Sequence, residues 1–326
     1  MLDEKQIIKE TEASYPLHEG NTLTERIKKY FSPQKAPFWI ANAIGVVALS
    51  SLATVAVIRY NRRRKQTQIS FHLPDSIQGV EVGSNIRLKI VFAHQGTNKL
   101  VIRGEKRLLD EIVCDIRDTK LRLFCKPTGR KKNCNTEAFL FVTELEFLSL
   151  VGNARIDTEG INHSNQFTLT QHGGEIRSLQ VESNRFSCVL SGEYSSNITY
   201  SGEELNLSAV GKGYSHFDLN ANSLVCQMSG ETSITLGGAL HNLSLSLLGK
   251  SELLAENLQL PNAKLILQEK AKARLDRIES GTIALSGDAQ LSINHELDKK
   301  VKVALEETST ILFLEDLSPL QASKKS

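Results

Sequence analysis

Aromatic side chains are scarce in this chain of 326 residues, where only 6% are Phe, Trp or Tyr. Leu, Ile and Val are abundant and Ser, Asn and Thr fill much of the remainder, so the shortage argues for β structure with small polar faces rather than a helical bundle. Charge of one sign is lacking too: 39 basic residues oppose 37 acidic ones and leave a formal net charge of +2. No whole-chain field recruits nucleic acid or an acidic substrate.

Groupings that carry chemistry are equally sparse. His163, His172, His216, His241 and His295 share no phase, so they do not form a metal set. Asp157, Asp218, Asp276 and Asp288 gather no acid and base pair, and no calcium-binding GGxGxDx nonapeptide occurs. The chain therefore reads as non-enzymatic, with no catalytic residue, cofactor or metal. The five cysteines are an odd number, which leaves at least one thiol outside any intrachain bond. Cys188 and Cys226 read as small core residues, while Cys114, Cys125 and Cys134 have room for one disulfide in an oxidising compartment.

One long apolar run is present. Residues 36–58, APFWIANAIGVVALSSLATVAVI, pass without a charge and would make roughly 34 Å of helix against a hydrocarbon core of about 30 Å. Trp39 and Tyr60 flank it where interfacial rings belong, and Arg62, Arg63 and Arg64 follow. We expect a transmembrane helix over 36–60 with the lipid bilayer as partner, then a basic linker over 61–70 suited to anionic head groups. Before it, residues 1–35 are polar. They include a capping-box pattern at Thr22 and Glu25 and an amphipathic spacing of Leu23, Ile27, Tyr30 and Phe31. The flanking positive charges nearly balance across the span.

Beyond residue 147 the chain repeats. Gly152, Gly173, Gly192, Gly211, Gly230, Gly249, Glu269, Gly287 and Glu307 follow one another at spacings of 21, 19, 19, 19, 19, 20, 18 and 20 residues. Four residues before each marker stands Leu148, Leu169, Cys188, Leu207, Cys226, Leu245, Leu265, Ile283 or Val303, an unbroken apolar column. Two before it the column is again apolar, with Gln171 its one polar member. A second strand follows each marker, with Ile234, Leu253, Ala273, Leu291 and Ile311 four residues after theirs. Fixed self-similarity near 20 residues with alternation of period two marks stacked strand units that bury their apolar faces against one another. The expected fold is all-β, a parallel β-helix (β-solenoid) of ~19-residue coils. About nine coils rising roughly 4.8 Å each make a rod of about 40 Å.

The order of motifs from 77 to 317, which starts with the strand pair of IQGVEVGSNIRLKIVF and recurs in turns such as LVGNARID and ALSGDAQLSI, resembles the putative auto-transporter adhesin, head GIN domain family. The opening, IQGVEVGSNIRLKIVFAHQGTNKLVIRGEKRLLDEIVCDIRDTKLRLFCK, carries a strand pair, an apolar LLD-I segment and a D-x-x-L-x-L strand in that order. The turns LVGNARID, QMSGETSITLGG and ALSGDAQLSI are similar to the family's small-Gly-x-small turns. The long N-terminal segment and uncleaved span depart from the export signal common in the family. The resemblance implies a right-handed winding and a periplasmic or extracellular domain, with no catalytic residues to carry over.

The expected organisation is a β-solenoid over 71–317, with an opening subdomain at 71–140 and regular coils at 147–315, then a polar tail at 318–326. Outward positions between the inward columns, Thr168, Thr170, Asn206, Ser208, Gln227, Ser244, Ser246 and Lys264, form a polar face for an envelope protein or polysaccharide. The expected function is adhesin-like binding or scaffolding at the bacterial cell envelope. Its alternative is an envelope sensor whose N-terminal segment contacts a cytoplasmic regulator.

Overall fold

The computed structural model describes residues 66–83, 85–93, 98–126, 136–314 and 319–321. The expected membrane span with Trp39, Tyr60, Arg62, Arg63 and Arg64, and Cys134, lie outside the described residues. No helix among the described residues is long and apolar enough to cross a membrane. What is described is all-β, one 18-stranded hydrogen-bonded sheet system broken by a single helical turn, α1 (Lys106–Leu109). The segment after Gly104, which holds the apolar LLD-I stretch, splits into that helical turn and a strand.

The first strands mix directions. β1 (Gln66–His72) starts inside the segment read from sequence as a basic linker and pairs antiparallel with β4 (Lys99–Glu105). β4 pairs antiparallel with β7 (Thr136–Val142), and β5 (Ile112–Arg117) with β6 (Lys120–Cys125). Parallel stacking begins with β2 (Gly79–Gly83), which lies between β6 and β8 (Phe147–Val151), and with β3 (Ile86–Phe92), which lies between β7 and β9 (Arg155–Glu159).

From there the register follows the sequence period. β10 (Asn162–Leu247) runs through several repeats and pairs in parallel with β8 and β9 behind it. Ahead of it lie β11 (Glu252–Gln259) and β12 (Asn262–Leu267). Two parallel ladders then continue. β11 carries β13 (Lys272–Leu275), β15 (Gln290–Ile293) and β17 (Thr310–Phe313), while β12 carries β14 (Ser280–Leu285) and β16 (Val301–Leu305). β18 (Pro319–Gln321) closes β17 in antiparallel pairing.

In-register parallel pairing places like side chains over like, which is why the apolar columns are interior. Leu148, Leu169, Cys188, Leu207, Cys226, Leu245, Leu265 and Ile283 are all buried, as are Ile234, Leu253, Ala273, Leu291 and Ile311. Each fully buried Leu or Ile contributes roughly 1.5–3 kcal/mol of transfer free energy. The column expected to stay interior through Val303 loses its cover there. Val303 pairs with Ile283 but is 41% exposed, because among the described residues no strand pairs with β16 on its far side.

The glycine markers are turn positions with left-handed backbone. At Gly230 φ is +90°, and a Cβ there would sit 2.6 Å from the Gly211 carbonyl oxygen in the neighbouring repeat. Glu269 and Glu307 adopt φ of +61° and +57°, so the two glutamates do occupy the glycine conformation that their spacing implied.

Candidate binding surfaces

The outward positions of the strand before each turn form two columns. The strand register aligns Thr168 with Phe147 and Thr170 with Ser149, and further on Ser244 with Lys264 and Ser246 with Ile266. Asn206, Ser208 and Gln227 follow by the same 19-residue step. Asn206, Gln227 and Lys264 are exposed, whereas Thr168, Thr170, Ser208, Ser244 and Ser246 are half-buried between their stacked neighbours. The face is less uniformly polar than the sequence columns suggested, because Val189 and Val225 take outward positions and are 37% and 38% exposed.

Towards the start of the sheet the same columns change character. Glu81 accepts from Arg122 Nε at 2.9 Å, and the Lys120 ammonium lies 4.1 Å from the Phe147 ring centroid. Gly79 stands between Lys120 and Phe147 in the register, where a Cβ would lie 3.1 Å from both side chains. A glycine at this place lets the cation reach the ring. At the turns another outward position alternates in charge through Glu193, Lys212, Glu231 and Lys250. Lys250 Nζ donates to Glu231 at 2.9 Å, and that hydrogen bond, with the nearby Lys212 charge, holds the Glu231 carboxyl below the usual range.

A second surface has no counterpart in the sequence reading. At the corner that precedes the outward columns, Glu144, His163, Glu182 and Ser201 recur at 19-residue steps. With Asn165 and Asn184 they line a shallow polar groove of about 460 Å³. His163 Nδ1 lies 3.1 Å from a Glu182 carboxylate oxygen, and Asn184 Nδ2 donates to Asn165 Oδ1 at 2.8 Å. Two buried side chains hold this corner in place. Asn162 accepts from the Leu145 N–H at 2.8 Å and donates to the Leu145 carbonyl at 2.9 Å, which fixes the backbone beside Glu144. The Tyr200 hydroxyl reaches the carbonyls of Ser183 and Glu204 at 3.0 and 2.9 Å. Phe167, Phe186 and Tyr200 stack behind it with centroids 5.3 and 5.4 Å apart. Asparagine continues along the chain at Asn222, Asn242 and Asn262, with Asn242 donating to the Asn222 carbonyl. Reading the repeat on polar residues seven or eight before each marker would have found this ladder.

The candidate reactive groups stay apart. Cys188 and Cys226 are fully buried thiols; burial pushes Cys226 up to about 12 and Cys188 higher, so neither is a nucleophile at neutral pH. Cys114 is likewise a thiol, pushed up to about 12 by burial and then by Asp115. Asp276 accepts from Asn294, Asp288 pairs with Thr308, and Asp157 and Asp218 lie in other repeats. Among the described residues no three His, Cys, Asp or Glu side chains come together as a metal site.

The family described as putative auto-transporter adhesin, head GIN domain, matches residues 78–295. No curated protein matches the chain in sequence. Solved structures share the fold. The putative adhesin of Parabacteroides distasonis ATCC 8503 aligns over 76% of this chain and 97% of its own, at 13% identity and a TM-score of 0.56. The putative lipid binding protein of the same strain covers 74% and 96% at 15% identity and a TM-score of 0.51. The putative adhesin of Parabacteroides merdae ATCC 43184 covers 75% and 96% at 16% identity and a TM-score of 0.51. With the family match spanning two thirds of its residues, and its strands stacked on the period that carried the resemblance, this chain belongs to the putative auto-transporter adhesin, head GIN domain family.

Proposed function

We propose that this chain is a membrane-anchored, non-enzymatic β-solenoid that binds or scaffolds at the bacterial cell envelope in the manner of an adhesin. In this reading the stacked strands wind as a right-handed coil, regular over 147–315 and preceded by an opening subdomain at 71–140. The apolar run 36–60 is the anchor, 61–70 its basic linker and 318–326 a polar tail. The solenoid faces the periplasm or the cell exterior. One observation carries the proposal: parallel in-register pairing converts a repeat near 19 residues into outward columns spanning many strands, with the interior filled by side chains. Such a surface has reach and repetition, which suit a contact built from many weak interactions. Thr168, Thr170, Asn206, Ser208, Gln227, Ser244, Ser246 and Lys264 supply its polar groups. Family membership favours the same reading.

The test uses the full chain in cells, with a reporter fused after Ser326. An extracytoplasmic reporter signal, together with capture of envelope material that weakens when Thr170→Asp and Ser246→Asp are combined, supports the proposal. A cytoplasmic C-terminus would remove it.

A further inference from the structure

We propose that the corner groove lined by Glu144, His163, Asn165, Glu182, Asn184 and Ser201 binds a glycan that is neutral or carries amines, and rejects anionic ones. The inference does not depend on the outward columns.

The chemistry of the lining selects the ligand class. Each of these side chains is a short acceptor or an amphoteric group, and two are carboxylates, while no Lys or Arg lines the groove. The one basic ring in the lining, His163, already faces Glu182, so an anionic chain meets like charge and finds no cation of its own to pair with. No large apolar side chain lines it either, which removes the anchor that an apolar peptide or acyl chain requires. Sugar hydroxyls both donate and accept, and so match alternating carboxylate, amide and hydroxyl partners. A protonated amino group adds a charge-assisted bond to Glu144 or Glu182.

The groove is also built in advance. Polar side chains on a mobile surface lose affinity to ordering, whereas here Asn162 clamps the Leu145 backbone from one side and Tyr200 holds Ser183 and Glu204 from beneath. The aromatic residues Phe167, Phe186 and Tyr200, drawn from a small supply, stack behind this corner. Ser164, also in the lining, has a buried hydroxyl with no hydrogen-bond partner. The groove offers no stacking platform, so a single oligosaccharide is held weakly and recognition favours extended chains.

The full chain, purified in detergent, is titrated with three hexasaccharides: glucosamine, N-acetylglucosamine and galacturonic acid. The expected order of affinity is that order, with the glucosamine hexamer at least threefold above its acetylated form and the galacturonic hexamer showing no saturable binding. Glu144→Gln combined with Glu182→Gln should erase the amine preference while retaining the neutral hexamer, because the pair keeps the shape and removes the charge. Ser201→Trp, which adds bulk at an outward position, should reduce binding of both at least fivefold with an unchanged melting temperature. Failure of both glucosamine-based hexamers to bind, preference for galacturonic acid, or binding untouched by both variants would overturn the proposal. Thr170→Asp with Ser246→Asp must leave hexamer binding intact, which separates this site from the envelope contact proposed above.

Discussion

The repeats between Phe167 and Leu236 and those between Leu243 and Ile293 share one backbone plan and fill it differently. The later repeats are packed almost wholly with Leu, Ile and Ala, and Ser251 is their one buried polar residue. The earlier ones bury Phe167, Phe186, Phe217, Tyr194 and Tyr200 together with Cys188, Cys226, Gln171, Ser196, Ser215 and Thr232. Aliphatic columns are nearly interchangeable from one repeat to the next, so in the later repeats alignment rests on turns and backbone pairing. In the earlier repeats the interior itself is specific. The Tyr194 ring fills the space over Gly213, where a Cβ would lie 2.6 Å from ring carbon. Gln171 donates to the carbonyls of Gly174 and Ser195 and accepts from Ser196, so the single polar member of its column is fully satisfied. The polar groove sits over the specific half. An interior that admits only one register supports a surface whose side chains must stay fixed.

The difference can be broken most severely in the later half. Leu245→Asp places an unpaired carboxylate among stacked leucines, and we expect a loss above about 4 kcal/mol in chemical denaturation. Ser246→Asp, one residue on and half-buried on the outer face, should change stability by no more than about 0.5–1 kcal/mol. Equal effects would invert the assignment of inside and outside.

In the earlier half the two tyrosines separate satisfied from unsatisfied polarity. Tyr200→Phe strands the Ser183 and Glu204 carbonyls and should cost about 1–3 kcal/mol, and it should loosen the corner groove. The Tyr194 hydroxyl is buried without a hydrogen-bond partner, and burial raises its pKa. Tyr194→Phe should therefore be neutral, or stabilising by up to about 1 kcal/mol. Matched thermal melts of the two variants check the contrast, and a cost for Tyr194→Phe equal to that of Tyr200→Phe would refute it.

The same contrast explains how much was legible in the sequence. The period, the turn glycines and the apolar columns could be read because parallel stacking repeats one environment at each step, and Leu245 or Leu265 announces its place by spacing alone. The all-β class followed from that pattern. The exposure of Val303 was not legible, since a column says nothing about where its cover stops. Nor was the groove, whose members Glu144, His163, Glu182 and Ser201 share a phase but no residue type. The roles of Asn162 and Tyr200 depend on partners 17 residues away in sequence that only a neighbouring turn of the chain brings near. The antiparallel pairing of β1, β4 and β7 crosses between segments without a common period, so alternation located the strands but not their partners.

The smallest expected effect tests the turns on which the later repeats depend. Glu269 holds φ at +61° in a column that only it and Glu307 occupy without glycine, and an L-residue there costs roughly 1–2 kcal/mol relative to the right-handed region. Glycine removes that cost but loses about 0.5–1 kcal/mol more backbone entropy on folding. Glu269→Gly should therefore raise stability by about 1 kcal/mol or less, and Glu269→Asn, which tolerates the left-handed region, should fall between glycine and the native residue. Glu307→Gly should gain less, because its turn adjoins the strand whose inner face is uncovered. Denaturation midpoints of the three variants decide the matter. If Glu269→Gly destabilises, the glutamate side chain contributes more through the charged neighbours Lys250 and Lys270 than its backbone strain removes, and register in the later repeats would then rest on surface charge as well as on the turn.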